Sequence, residues 1–130
     1  MKINPTFLLL IFRFGFVLAL SITTYAALID VAELPPITLR VWDKLQHASV
    51  FLLLSFLLHR SFVDKRLFST PHIAQMAFLF GYGVLIEWLQ SYTPHREASA
   101  ADVLADTFGI FCYSLLYFKI CTGKRSSPGG

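Results

Sequence analysis

Long hydrophobic runs separated by short polar connections dominate this chain. The runs cover residues 7–29, 45–63, 73–92 and 101–120. A helix of about 20 apolar residues is long enough to cross the hydrocarbon core of a bilayer. The pattern therefore predicts an all-α integral membrane protein with four transmembrane helices. Because the connections are short, consecutive helices are expected to be antiparallel neighbours.

The first two runs are the less direct assignments. Residues 7–29 could also be a secretory signal peptide, but the run is long for one and Arg13 interrupts it, which favours an uncleaved span. Arg13 is expected to reach back to the membrane interface. The second run is apolar without interruption only over residues 48–58, and we interpret it as a membrane helix with polar ends because three stronger runs surround it.

Composition supports the membrane class. Of the 130 residues, 55% are hydrophobic and 15% are charged, whereas soluble domains carry about 25% charged residues. These values exclude a disordered chain, a nucleic-acid-binding module and a disulfide scaffold, and they argue against a soluble globular domain. We expect one transmembrane domain over residues 1–122 and a disordered cytoplasmic tail over residues 123–130.

Positive charges predict the orientation. One side of the predicted bilayer has seven Lys and Arg residues: Lys2, Arg60, Lys65, Arg66, Lys119, Lys124 and Arg125. The other side has three, which are Arg40, Lys44 and Arg96. The positive-inside rule therefore predicts that both termini are cytoplasmic. Trp42, Trp88 and Tyr92 would then form an aromatic belt at the outer interface.

With this topology, polar residues from three runs meet at the outer face of the membrane. They form the candidate polar pocket, which consists of Asp43, Lys44, His47, Glu87, Gln90, Arg96, Asp102 and Asp106. Within each run they are spaced by three or four residues, so each helix offers one polar stripe. A charge that faces lipid costs at least about 2.5–3.5 kcal/mol at the helix centre, so the stripes should face each other.

Each of these residues also has a simpler interpretation. Asp43 and Lys44 could be interfacial charges, and Asp102 suits the first turn of a helix because of the helix dipole. Arg96 could merely neutralise neighbouring acids. Gly83 and Gly109 are expected to let helices approach closely.

A metal ion or an active centre is less well supported. His47, Glu87, Asp102 and Asp106 could together hold a divalent ion, but no paired-histidine motif is present, so we expect no metal and no cofactor. Asp43 could orient His47 as a general base, although no nucleophile is evident. His59 and His72 are interpreted as interfacial residues. The inner halves of the runs are then almost free of ionisable groups, which argues against an ion carrier.

The order and spacing of these residues resemble the VanZ-like family. The matching segments are D-K-x-x-H with Asp43, Lys44 and His47, I-E-W-L-Q with Glu87 and Gln90, and P-H-R-E-A-S-A-A-D-V-L-A-D-T-F-G-I with Arg96, Ser99, Asp102, Asp106 and Gly109. The resemblance covers about residues 41–117. Many members have an aromatic residue at the position of Ala48 and an asparagine at that of Asp106, so this chain carries an additional acid.

The resemblance implies a small multi-pass protein of the bacterial plasma membrane with a role in the cell envelope. The family takes its name from a protein that confers teicoplanin resistance, and it implies no particular reaction. Our leading hypothesis is a non-enzymatic pocket for the headgroup of a lipid or a lipid-linked cell-wall precursor, with Lys44 and Arg96 contacting anionic groups. The alternatives are an intramembrane enzyme with His47 as general base and a structural scaffold with buried ion pairs. We expect membrane lipids, and no nucleic acid, as partners.

Overall fold

Four helices form the part of the chain that the structure describes. The computed structural model describes residues 4–29, 39–62, 70–94 and 97–123. The helices are α1 (Pro5–Leu28), α2 (Leu39–Arg60), α3 (Thr70–Gln90) and α4 (Ala100–Gly123). The all-α prediction is confirmed for these residues. Arg96 lies outside the described residues, as does the predicted tail of residues 123–130 except for Gly123, which is the last residue of α4.

Three of the described helices are long and apolar enough to cross a membrane. The qualifying segments are Pro5–Leu28, Pro71–Gln90 and Ala100–Ile120. The segment that does not qualify is α2, which begins at Leu39, ahead of the predicted apolar run that starts at residue 45. Its first turns carry Asp43, Lys44 and His47. Those polar side chains lower the hydropathy of α2, and two of them, Lys44 and His47, are paired with residues of α4.

The pair formed by α2 and α4 is the most extensive helix contact in the described structure. Lys44 contacts Asp102 near the two starts, and His59 contacts Tyr113 further along. The two helices therefore run side by side in the same direction. Gly109 of α4 lies directly against the backbone carbonyl of Ala48 in α2, where a Cβ atom would collide with that oxygen. A glycine at this position is what permits the close approach.

The other two helices pack against this pair. Phe12, near the start of α1, packs edge-on against Phe56, near the end of α2, with ring centroids 5.7 Å apart. Between α1 and α3, the hydroxyl groups of Thr24 and Tyr82 are hydrogen bonded at 2.9 Å. Arg13 donates through Nε to the backbone carbonyl of Ser61 at 3.2 Å. These contacts fix α1 along one side of the bundle.

Polar and apolar residues are distributed differently from those of a soluble protein. The hydrophobic core is small and consists of Phe51, Leu54, Leu58, Leu79 and Ile110. Among the described residues, ten polar or charged residues are buried against seven hydrophobic ones, while many large apolar side chains are exposed. No residue of α1 is buried. An apolar exterior around a polar interior suits a lipid solvent, because lipid-facing polar groups would be costly.

Candidate functional site

Charged and polar side chains meet where α2 and α4 begin and α3 ends. We call this group the acidic cluster; its described members are Asp43, Lys44, His47, Glu87, Gln90, Asp102 and Asp106. They come from the three helices named in the sequence argument. The eighth residue of the candidate pocket, Arg96, lies outside the described residues. Six of these members form an ion pair, a histidine–carboxylate pair and two links to neighbouring elements, and the seventh, Asp43, lies near His47.

The ion pair joins Lys44 and Asp102. The Nζ atom of Lys44 lies 2.5 Å from Oδ1 of Asp102, with side-chain exposures of 44% and 10%, respectively. Asp102 also lies in the first turn of α4, where the helix dipole favours a negative charge. Lys44 is therefore already engaged by a carboxylate, which limits its use as a partner for an anionic ligand.

His47 is held mainly by Asp106. Its Nδ1 atom lies 2.9 Å from Oδ1 of Asp106, whereas its Nε2 atom lies 3.9 Å from Oδ1 of Asp43. The first distance is a hydrogen bond and the second is too long for one. With Asp106 ionised and His47 neutral, Nδ1 is the donor and Nε2 has its lone pair on the side of Asp43. In this geometry Asp106, rather than Asp43, orients the imidazole.

Glu87 links the end of α3 to the start of α4. The backbone N–H of Ser99, just before α4, donates to Oε2 of Glu87 at 2.8 Å. Glu87 and Asp106 are only 4% and 2% exposed. Within the described residues, Oε1 of Glu87 and Oδ2 of Asp106 have no hydrogen-bond partner. Buried carboxylate oxygens of this kind are costly unless a donor or a positive charge is close.

Two of the candidate residues, Gly83 and Gln90, contribute to the packing of the helices. A Cβ atom at Gly83 would lie 2.8 Å from Oδ2 of Asp106, so glycine makes room for that carboxylate beside α3. Gln90 donates through Nε2 to the backbone carbonyl of Ala27 at 3.0 Å, which joins the ends of α3 and α1. Gln90 therefore faces α1, while Glu87 faces α4.

A cavity of about 190 Å³ adjoins the acidic cluster between α1, α2 and α3. Its polar lining residues are Thr23, Asp43, Gln46, His47 and Gln90. Its apolar lining residues are Ile22, Ala26, Ala27, Val50, Phe51 and Ile86. Neither Gln46 nor the contribution of α1 was predicted from the sequence. Gln46 could have been recognised because it adjoins His47 on the polar side of α2, whereas the part of α1 that lines the cavity, residues 22–27, has no charged residue.

A second polar group lies at the opposite end of the bundle. We call it the histidine cluster; it consists of Ser55, His59, His72, Gln75, Tyr113 and Ser114. His59 and His72, interpreted from the sequence as interfacial residues, are only 1% and 3% exposed, so their side chains turn into the bundle rather than toward its surface. Their ring centroids lie 5.1 Å apart. The end of the bundle opposite the acidic cluster thus also contains buried ionisable groups.

The histidine cluster could have been recognised by spacing. Ser55 and His59 are four residues apart, and His72 and Gln75 are three apart, which are the same intervals that revealed the acidic cluster. The Nδ1 atom of His59 is hydrogen bonded to the hydroxyl of Tyr113 at 2.8 Å. The flanking positive charges instead suggested that both histidines lie at the membrane surface.

No protein-family profile, curated protein sequence or solved structure matches this chain. The site must therefore be interpreted from its own geometry. The resemblance to the VanZ-like family stays a prediction from the motifs around Asp43, Glu87 and Asp102.

Proposed function

We propose that this chain is a multi-pass protein of a bacterial plasma membrane, with four antiparallel transmembrane helices and both termini in the cytoplasm. The apolar exterior of the bundle and the three candidate spans support this placement. The polar start of α2 is compatible with it, because Lys44 and His47 are paired with residues of α4 rather than directed at lipid. Trp88 and Tyr92, exposed and in contact at 5.3 Å, suit an interfacial aromatic belt.

We further propose that the cavity beside the acidic cluster binds the headgroup of a lipid or a lipid-linked envelope precursor. The observation that carries this proposal is the mixed lining of the cavity, in which the charged and polar side chains of Asp43, Gln46 and His47 accompany apolar residues of all three helices. Its volume of about 190 Å³ is below the range of roughly 300–1,000 Å³ that is typical of pockets for drug-sized ligands. A polar headgroup fits such a volume, while acyl chains would remain in the surrounding lipid along the exposed surface of α1.

The proposed role belongs to the cell envelope, as the resemblance to the VanZ-like family implies. The outward orientation would present the cavity to the outer leaflet, where lipid-linked wall precursors are used. A link to teicoplanin resistance rests on the resemblance alone. Asp43 and His47 would contact the headgroup directly because both line the cavity, while Asp106 would position His47.

Native mass spectrometry of the purified protein tests this proposal. We expect the wild-type chain to retain a lipid or lipid-linked molecule, and we expect Asp43→Asn and His47→Gln to retain about tenfold less, as for the loss of one charged hydrogen bond. Glu97→Gln is the matched control, because Glu97 is an exposed acid ahead of α4 that does not line the cavity. Equal retention by all four proteins, or no retained molecule, would refute the headgroup proposal.

A second candidate function is an intramembrane enzyme that acts on a lipid-linked substrate. The observation that favours it is the 2.9 Å hydrogen bond between His47 and Asp106, since a carboxylate on one ring nitrogen prepares the other to accept a proton. Asp106→Asn would then slow turnover strongly while the headgroup is still retained. Turnover of lipid-linked substrate that is unaffected by His47→Gln would exclude His47 as the base.

A further inference from the structure

We propose that Asp43, His47 and Asp102 form a binding site for a divalent transition-metal ion at the edge of the acidic cluster. Each residue offers one ligand atom, and these atoms all lie within 4.8 Å of one another. The 3.9 Å between Nε2 of His47 and Oδ1 of Asp43 exceeds a hydrogen bond. Two ligands at about 2.0–2.2 Å from one tetrahedral ion lie about 3.3–3.6 Å apart, so binding an ion would draw these two atoms together by a few tenths of an ångström.

The surroundings of His47 match those of a metal-ligating histidine. Such a histidine usually donates its second ring N–H to a carboxylate, which fixes the tautomer and makes the ligating nitrogen more basic. Here Nδ1 of His47 is hydrogen bonded to Asp106, and Nε2 lies on the side of Asp43. The imidazole is thus oriented with its remaining nitrogen toward Asp43, one of the other two proposed ligands.

The surroundings of Asp102 also suit a ligand. One oxygen, Oδ1, is fixed by Lys44 at 2.5 Å. A carboxylate has a second oxygen that can bind an ion while the first keeps its hydrogen-bonded partner. Lys44 then has two effects on the proposed site: it positions Asp102, and its ammonium group competes electrostatically with the ion.

The charge of the cluster supplies an independent argument for a cation. Four acids, Asp43, Glu87, Asp102 and Asp106, surround His47, and among the described residues the cluster has Lys44 as its one lysine or arginine. Glu87 and Asp106 are more than nine-tenths buried, and each has a carboxylate oxygen without a partner among the described residues. An ion held by Asp43, His47 and Asp102 would lie in the same cluster as these carboxyl groups, whose burial is costly without a positive charge nearby.

The donor set indicates the kind of ion. One imidazole and two carboxylates suit Zn²⁺ or Mn²⁺, whereas Mg²⁺ and Ca²⁺ prefer oxygen ligands alone. Three protein ligands leave open coordination positions. Asp43, with its side chain 46% exposed, would let the ion reach the site from the bundle surface. An ion here would also make the cavity wall attractive to a phosphate, and this last consequence rests on the proposed headgroup function.

The test is an isothermal titration calorimetry experiment. Protein that has been treated with a chelator is titrated in detergent micelles with Zn²⁺ alone and, separately, with Mn²⁺ alone. We expect about one ion per chain and a metal-dependent rise in melting temperature. Asp43→Asn and Asp102→Asn should weaken binding at least about tenfold, and Asp106→Asn, which removes the support of His47, about 10–100-fold.

Two controls keep the result interpretable. Glu97→Gln removes one carboxylate charge near α4 without touching the ligand set and should bind like wild type. Melting of each variant without metal shows whether it is folded, and the half-exposed Asp43 is the substitution least able to disturb the fold. No binding by wild type, or unchanged binding by folded Asp43→Asn, would overturn the proposal.

The two proposals can fail separately. The calorimetric titration contains no added lipid, so its failure removes the metal site and leaves the headgroup proposal to be judged by lipid retention. Metal binding without any retained lipid would support the metal site and refute the headgroup proposal. Lipid retention that disappears when a chelator is added would connect the ion to the headgroup.

Discussion

The acidic cluster and the histidine cluster are both buried polar groups in one small helical bundle, but their surroundings differ. The acidic cluster combines several charges, has Asp43 and Lys44 almost half exposed, and adjoins a cavity of about 190 Å³. The histidine cluster surrounds a cavity of only about 10 Å³. That volume approaches the size needed for a single water molecule.

This difference shows that polar burial alone does not identify a binding site. In the histidine cluster, His59 is hydrogen bonded to the hydroxyl of Tyr113, while both polar atoms of the Gln75 amide have no hydrogen-bond partner among the described residues. In the acidic cluster, the atoms without a partner among the described residues are carboxylate oxygens of Glu87 and Asp106. Excess charge and access from outside, rather than polarity, distinguish the region that we propose binds a ligand.

The largest expected effect comes from Gly109, whose substitution should damage both clusters together. In Gly109→Ala the new Cβ would collide with the carbonyl of Ala48, so α2 and α4 must separate. We expect a loss of about 1–3 kcal/mol in the free energy of unfolding, measured by denaturation in detergent. The matched control is Gly81→Ala, where a Cβ meets nothing within 4 Å and the helix should gain up to about 1 kcal/mol.

Equal stability of the two alanine variants would contradict the described α2–α4 contact. A loss of lipid or metal binding in Gly109→Ala without a loss of stability would also be unexpected. Such a result would mean that Gly109 affects binding only through the acidic cluster and not through the packing of α2 against α4.

An intermediate effect is expected from the ion pair of Lys44 and Asp102. Its coupling free energy distinguishes a structural scaffold held by buried ion pairs from a protein that binds a ligand at the acidic cluster. A double-mutant cycle with Lys44→Met and Asp102→Asn should give a coupling free energy of about 0.2–1 kcal/mol, because Lys44 is substantially exposed. The scaffold hypothesis requires more coupling than this, with function following protein level. In the binding hypothesis Lys44→Met keeps or strengthens metal binding, because a competing cation is removed.

The smallest effect is expected in the histidine cluster. Gln75 is buried, and both polar atoms of its amide have no hydrogen-bond partner among the described residues. Gln75→Met keeps the size of the side chain and removes an unsatisfied amide, so stability should be unchanged or higher by roughly 1 kcal/mol. Denaturation curves and lipid retention check this. A large destabilisation, or lost retention, would mean that the histidine cluster has a binding role of its own.

Much of the helical framework could be predicted from the sequence, because helices of membrane proteins leave long apolar runs. The convergence of Asp43, Glu87 and Asp102 also followed from short connections that return each helix to the same face. Which helix pairs with which could not be predicted, since it depends on how closely Gly109 allows α4 to approach α2. For that reason the partnership of His47 with Asp106 was missed, and Asp43 was given that role.

The histidine cluster was missed for a different physical reason. His59 lies beside Arg60, and basic residues close to a predicted helix end usually mark the membrane surface. Only the packing of α2, α3 and α4 shows that the imidazole turns into the bundle while the guanidinium of Arg60 lies over the ring of Phe12, 5.1 Å from its centroid. His59 and Arg60 are adjacent in sequence, but their side chains have different environments. A hydropathy value averaged over a window of residues does not show such a difference.

We propose that the acidic cluster, and not the histidine cluster, binds a lipid or a lipid-linked molecule from the membrane. The most direct measurement is native mass spectrometry of wild type, Asp43→Asn and Gln75→Met at equal protein levels. We predict that wild type and Gln75→Met retain the same lipid or lipid-linked molecule and that Asp43→Asn loses it. Retention by Asp43→Asn together with loss by Gln75→Met would contradict the account.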